Sequence, residues 1–278
     1  ALPGAPGVAK YPLLWPAIVA GFQAAGASLD GLLWLNAGLW ALTAQLVVSA
    51  LLPALGAGWR AQVATGAFLA MNITTMDLVP QLMSEPTFTL AITAGVVIVA
   101  RGGTSRVQLV ALAVCAAAAA GSRSVGGLYA LAGGVLTVLA GRRALGAALL
   151  AGWAVAAVAL RVERAMAPLP TGDALEVVRY YVSYDVHTGW YAGRWAHGGL
   201  GGVVSGLATI VPANAALAPK CLGLFFAPTA WVDALVGGAP ALGTTFSGVA
   251  PIALAAVAAW RAPRSRPIVA LLVLHIGV

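Results

Sequence analysis

Few side chains in this sequence can do chemistry, and most of them fall in two polar stretches. The first, NITTMDLVPQLMSEPTFTL at 72–90, carries Asp77 and Glu85, two carboxylates able to take a proton or orient a hydroxyl. The second, at about 162–198, interleaves Tyr180, Tyr181, Tyr184, Trp190, Tyr191 and Trp195 with Arg179, Asp185, His187 and Arg194. Aromatic faces of Tyr181, Trp190 and Trp195 could stack on a sugar or a lipid headgroup while Arg179 or Arg194 pairs with phosphate. A simple interfacial aromatic belt has the same composition. Arg123, preceded by Ser122, could join such a phosphate site, and equally could be an arginine snorkelling to an interface. Glu85 has a plain reading too. Ser84 can cap a helix start, Pro86 suits its first turn, and an acid there suits the helix dipole.

Other chemistry is missing from the pattern. The sequence has no GxGxxG, no phosphate-binding GxxxxGK[ST], no HExxH and no paired CxxC. His187, His197 and His275 are scattered, and the pair Asp185 and His187 is too small for a metal site. Cys115 and Cys221 lie in or beside apolar runs without acidic or histidine neighbours, so they form no metal site and report no redox compartment.

The elements that must hold these residues are apolar. Of the 278 residues 61% are hydrophobic and 8% charged, with a mean hydropathy of +0.93, whereas roughly a quarter of a soluble chain is charged. A soluble globular protein is excluded. The net charge of +7 does not point to nucleic acid, because the basic residues punctuate apolar segments instead of forming one patch. Hydrophobic segments fall at about 31–52, 61–77, 86–100, 107–121, 125–141, 145–161, 199–217, 221–237, 245–260 and from 267 onward. In hydrocarbon such segments must be helices, because lone strands would leave amides unpaired. The expected fold is all-α. It is a polytopic transmembrane bundle of about ten helices forming one domain over 1–278, with an extracytoplasmic region at 162–198. The opening stretch Tyr11–Ala25 holds Pro12 and Pro16 and is short for a span, which fits a juxtamembrane helix. Both chain ends read as cut from something longer.

Charge sets the orientation. Alternate linkers collect Arg60, Arg101, Arg106, Arg142, Arg143, Lys220, Arg261, Arg264 and Arg266, nine basic residues without an acid. The opposite set holds Lys10, Arg123, Arg161, Arg164, Arg179 and Arg194 together with seven acids, Glu85 and Asp77 among them. The basic-only set is expected in the cytoplasm and the acids outside, in a multi-pass protein of the cell membrane. The eighth acid, Asp233, lies within a span that also holds Pro228. A buried acid in a broken helix is the feature that would fit a secondary transporter. Small-residue faces such as AVCAAAAAG at 113–121 and LAGGVLTVLAG at 131–141 allow close helix packing and would equally suit a non-catalytic scaffold subunit.

The order YPLLWPAIVAGF at 11–22, LDGLLWLNAGLWALTAQLVVSALL at 29–52 and GWRAQVATGAFLAMNITTMDLVPQLMSEPTFTLAITAGVVIVARGG at 58–103 resembles the C-type superfamily of polytopic glycosyltransferases. The similar features are a YPPL-like segment just outside the membrane, a helix with Asn near its outer start, and a loop ending in Ser-Glu-Pro. More loosely, the likeness extends through Arg123 to about Leu160, roughly half of the chain. It implies an inverting transferase that moves a sugar from a polyprenyl-phosphate donor to a glycan, lipid or protein acceptor at the outer membrane face. In that family the central acid precedes the YPPL-like segment. Residues 1–10 hold no Asp or Glu, and Leu13 stands at the usual second proline, so the central carboxylate and the first span are expected upstream of Ala1. Glu85 and Asp77 then remain as the outward acids, with Glu85 orienting the acceptor. Arg123, Arg179 and Arg194 remain as the cations for the donor phosphate, a task a divalent cation could share.

The orientation is checked by single cysteines. Those placed within 101–106 or 261–266 should resist an impermeant reagent applied outside intact cells, while one replacing Gly172 should react. Labelling of all three regions from outside would reverse the orientation.

Overall fold

The computed structural model describes residues 14–71, 84–166 and 193–212. Asp77, Arg179, Tyr181, Trp190, Cys221 and Asp233, and the segments expected at 221–237, 245–260 and from 267 onward, lie outside the described residues. Among the described residues the regular structure is entirely helical. The helices are α1 (Leu14–Ala24), α2 (Leu29–Ala54), α3 (Trp59–Met71), α4 (Glu85–Arg101), α5 (Arg106–Ser122), α6 (Ser124–Leu139), α7 (Arg143–Met166) and α8 (193–212).

Local sequence explains most of the boundaries. α2 starts at Ser28, whose hydroxyl accepts from the Gly31 amide at 3.2 Å. α5 starts with a capping box, Ser105 and Gln108 each bonding the other's backbone amide. α4 ends at Gly102, held at φ 69°, a conformation glycine reaches without a Cβ penalty. α2 passes through a π-helical stretch, Val47–Leu51, just before Pro53. Pro53 has no amide to give and its ring crowds the carbonyl four residues earlier, and the wider turn accommodates both.

Helix length sorts the elements. α1 has 11 residues, about 16 Å at 1.5 Å per residue, far short of a hydrocarbon thickness of roughly 30 Å. Leu29–Ala54 and Arg143–Val162 are long and apolar enough to cross a membrane, and only 17% of each tested window is buried. A core helix of a soluble protein would be mostly buried. α1, α5 and most of α6 are shorter apolar helices. Large apolar side chains face outward, Trp34 at 78% exposure, Val107 at 79% and Leu139 at 77% among them.

Short connections make α4, α5, α6 and α7 run alternately up and down, with α5 packed on α4, α6 and α7 and α2 leaning on α4. The buried cluster of Leu112, Leu145 and Ala148 joins α5 to α7, with Ile98 and Val99 of α4 against it. Glycine permits the approach. A Cβ on Gly152 would overlap the carbonyl of Ala113, and one on Gly146 would stand 2.7 Å from the carbonyl of Gly134.

One expectation changes. Ser84 is buried, its backbone is already α-helical at φ −76° and ψ −13°, and it makes no side-chain capping bond. The plain capping reading of Glu85 therefore loses its serine. Of the polar stretch at 162–198, the described residues are the end of α7 to Met166 and the start of α8 from 193. Within α8, Gly199 takes φ 54° and a Cβ on Gly202 would overlap the carbonyl of Arg194.

Backbone proximity is testable by adding single methyl groups. Gly152→Ala should destabilise by about 1–3 kcal/mol through overpacking. Gly38→Ala, where nothing lies within 4 Å, should be neutral or stabilise by up to about 1 kcal/mol through helix propensity. Thermal unfolding in detergent compares them, and equal behaviour of the two would refute the close approach.

Candidate functional site

α4 begins at Glu85, with Pro86 fully buried beside it. Proline suits this first turn, because its missing amide would have no partner within the helix. The Phe88 amide closes the turn on the Ser84 carbonyl at 3.0 Å, and the Thr89 hydroxyl donates to the Glu85 carbonyl at 2.8 Å. The backbone at Glu85 is thereby fixed, and its carboxylate is free to reach across to a neighbouring helix.

The neighbour is a hinge of one residue. Arg123 alone separates α5 from α6, in an extended conformation of φ −148° and ψ 145°. Its amide donates to the Ala119 carbonyl at 3.1 Å and its carbonyl accepts from the Gly126 amide at 2.9 Å. The preceding Ser122, fully buried, donates its hydroxyl to the Ala118 carbonyl at 2.6 Å. Gly126 makes so tight a reversal possible, because any Cβ there would overlap the Ala119 carbonyl. The main chain at the hinge is satisfied locally, and the Arg123 side chain is thrown outward.

The two meet. Arg123 Nη1 donates to Glu85 Oε1 in an ion pair bridging residues 38 apart in sequence, with side-chain exposures of 36% and 26%. Such exposure leaves the pair reachable from outside the bundle while removing part of its water. A guanidinium offers five N–H donors in a planar fork suited to carboxylate or phosphate, so Arg123 can hold an oxyanion beside or in place of Glu85.

Beside the pair the site becomes apolar. Phe88, one turn along α4 from Glu85, meets Tyr129 of α6 with ring centroids 6.2 Å apart. Tyr129 also lines a cavity of about 80 Å³ between α4, α5 and α6, together with Ile92, Gly95, Ala119 and Gly133. The Thr137 hydroxyl at the far part of that cavity is already bonded to the Gly133 carbonyl at 2.6 Å. The charged pair and the apolar space are thus linked along the bundle by the Phe88–Tyr129 contact. The Thr87 hydroxyl, two residues from Glu85, is buried without a hydrogen-bond partner. α1 packs on α5, and a Cβ at Gly121 would stand 3.4 Å from Leu14 Cβ, so the segment after YPL lies close to the Arg123 hinge.

Of the residues singled out by sequence, the structure brings Glu85 and Arg123 together. Arg194 and Trp195 occupy the first turn of α8, both exposed, Trp195 at 61%. His197 on that turn bonds the Gly193 carbonyl through Nδ1 at 2.7 Å. Among the described residues no group of three or more His, Cys, Asp or Glu is placed to hold a metal ion. Phe88, Tyr129 and Gly126 escaped the sequence reading. Phe88 could have been found from its spacing of three from Glu85, which puts both on one helix face. Comparison with family models, with curated proteins and with solved structures finds no match to this chain.

A partly exposed pair of this kind contributes on the order of 1 kcal/mol. Glu85→Gln and Arg123→Gln should each destabilise modestly, and the double variant should cost less than their sum by about that amount. Strict additivity in thermal unfolding would show that the pair carries no coupling.

Proposed function

We propose that this chain belongs to a multi-span membrane glycosyltransferase, passing a sugar from a polyprenyl-phosphate donor to an acceptor hydroxyl at the extracytoplasmic face. The single observation that carries the reading is the partly exposed Glu85–Arg123 pair, followed along the bundle, past the Phe88–Tyr129 contact, by an apolar cavity. It combines an acid and a phosphate-type cation at one end of the helix bundle with an apolar space further along the same helices. The antiparallel run α4–α7 supports the membrane bundle of about ten spans that the apolar segments of the sequence suggest.

In the proposed reaction the acceptor oxygen attacks the anomeric carbon, the bond from that carbon to the phosphate oxygen breaks, and the hydroxyl proton passes to a carboxylate. The polyprenyl phosphate leaves with an added negative charge. Arg123 is suited to stabilise that charge, because a bidentate guanidinium contact strengthens as charge develops. Glu85 is suited to orient the acceptor hydroxyl once the phosphate engages Arg123. Arg179 and Arg194 are further cations for the donor phosphate, with Tyr181, Trp190 and Trp195 as stacking surfaces for the sugar, and Asp77 as a second outward acid. In the family that the sequence resembles, the primary base is an acid in an external loop.

Membranes containing the full-length protein, given labelled polyprenyl-phosphate sugars, should form a labelled product. Glu85→Gln keeps size and loses charge, and should lower turnover by roughly ten- to a hundredfold at normal expression. Arg123→Lys keeps charge and loses the fork, and should weaken the donor-concentration dependence instead. Unchanged transfer in both variants would remove the pair from the site and withdraw the assignment.

A further inference from the structure

The end of the bundle away from Glu85 carries an arrangement the transfer reaction does not use. Arg101 closes α4 and Arg106 opens α5, while Arg142 and Arg143 lie at the junction of α6 and α7. The structure joins the two linkers. Arg142 Nη1 donates to the Val99 carbonyl at 2.8 Å, and its guanidinium packs so closely on Gly102 that a Cβ there would stand 3.1 Å from it. The linker 102–105 is itself fixed by the left-handed Gly102 and the Ser105–Gln108 capping box. Four exposed arginines are therefore held on one rigid surface.

Among the described residues that surface lacks compensation. Neither linker, nor the adjoining turns of the four helices, contains an acidic residue. Arg106 and Arg143 also stand at helix starts, where the backbone dipole opposes a cation. Self-repulsion is thus built in, and an external anion would relieve it. The neighbouring surface is apolar and outward-facing, with Val107 79%, Val110 64% and Leu139 77% exposed. Cations next to exposed hydrocarbon match a molecule with a phosphate at one end and acyl chains at the other.

We propose that this surface binds the headgroup phosphates of anionic bilayer lipids, with Arg101, Arg106 and Arg143 as the ligands and Arg142 as the residue that locks the two linkers together. The proposal rests on the membrane reading above and is independent of the sugar-transfer reading.

The test compares thermal unfolding of the full chain in nanodiscs of phosphatidylcholine with and without phosphatidylglycerol. The anionic lipid should raise the midpoint by roughly 5 °C. A triple variant, Arg101→Gln with Arg106→Gln and Arg143→Gln, should lose that rise, while the three corresponding Lys changes retain part of it. Arg142 is left intact so that the linker contact survives. Arg161→Gln, at the opposite end of α7, should keep the full rise. A full rise in the triple Gln variant would overturn the proposal. So would an equal rise produced by soluble glycerol phosphate in neutral nanodiscs, because the ligand would then be free phosphate. Release of the chain from membranes by alkaline carbonate would instead overturn the membrane reading, an outcome read before any lipid is varied.

Discussion

The close approach of helix backbones governs both ends of this bundle. At the Arg123 hinge, α6 reverses onto α5 through Gly126, which lies against the Ala119 carbonyl with no room for a Cβ. Along the bundle, Gly152 lies on Ala113 and Gly146 on Gly134. Lipid tails are as apolar as leucine, so in a bilayer burial alone does little to bring helices together, and tight contact through small residues has to supply the association. Once the backbones are this close, a connection of one residue or a few residues suffices. The polar side chains in those connections are then confined to the rims.

The two rims solve their electrostatics differently. At one, Arg123 meets a carboxylate from another helix, and the pair is near neutral. At the other, four arginines share two joined linkers with no acid nearby among the described residues. A neutral but partly exposed pair can exchange its carboxylate for a substrate oxyanion without a change in net charge at Arg123. An uncompensated cluster has no internal partner to give up, and its partner must come from the surroundings.

Much of this was legible in the sequence. The apolar segments at 31–52, 86–100, 107–121 and 125–141 correspond to α2, α4, α5 and α6 within a few residues, because hydropathy and the charged or glycine-containing linkers mark the same limits. The alternation of basic-only linkers also anticipated that 101–106 and 142–143 would share an end. What sequence could not give was contact between distant positions. Glu85 and Arg123 are 38 residues apart, and only the up-and-down packing of α4 and α5 makes them neighbours. Ser84 misled for a local reason. The residue types of a cap are present, but the backbone is already helical there, so the serine hydroxyl is not aimed at the first amides. The left-handed backbone at Gly199 was hidden among Gly198, Gly199, Gly201 and Gly202, where glycine signals both packing and turning.

The position of Arg123 carries a further consequence for how such a site is built. An arginine inside a helix can relocate its guanidinium through rotamers while its backbone stays bonded in the helical ladder. Arg123 instead occupies the only non-helical residue between two helices, with its amide and carbonyl each committed to a different helix. Movement of α6 relative to α5 would have to break one of those bonds or open the Gly126 contact. The guanidinium is therefore referenced to two helices at once, and Glu85 references it to a third. A cation held this way loses little freedom when an oxyanion binds, which favours recognition of developing charge over simple attraction. The apolar cavity beside Tyr129 lies further along the same helices, between α4, α5, α6 and α7. Of these, α4, α5 and α6 are already fixed at the rim by the hinge and the ion pair.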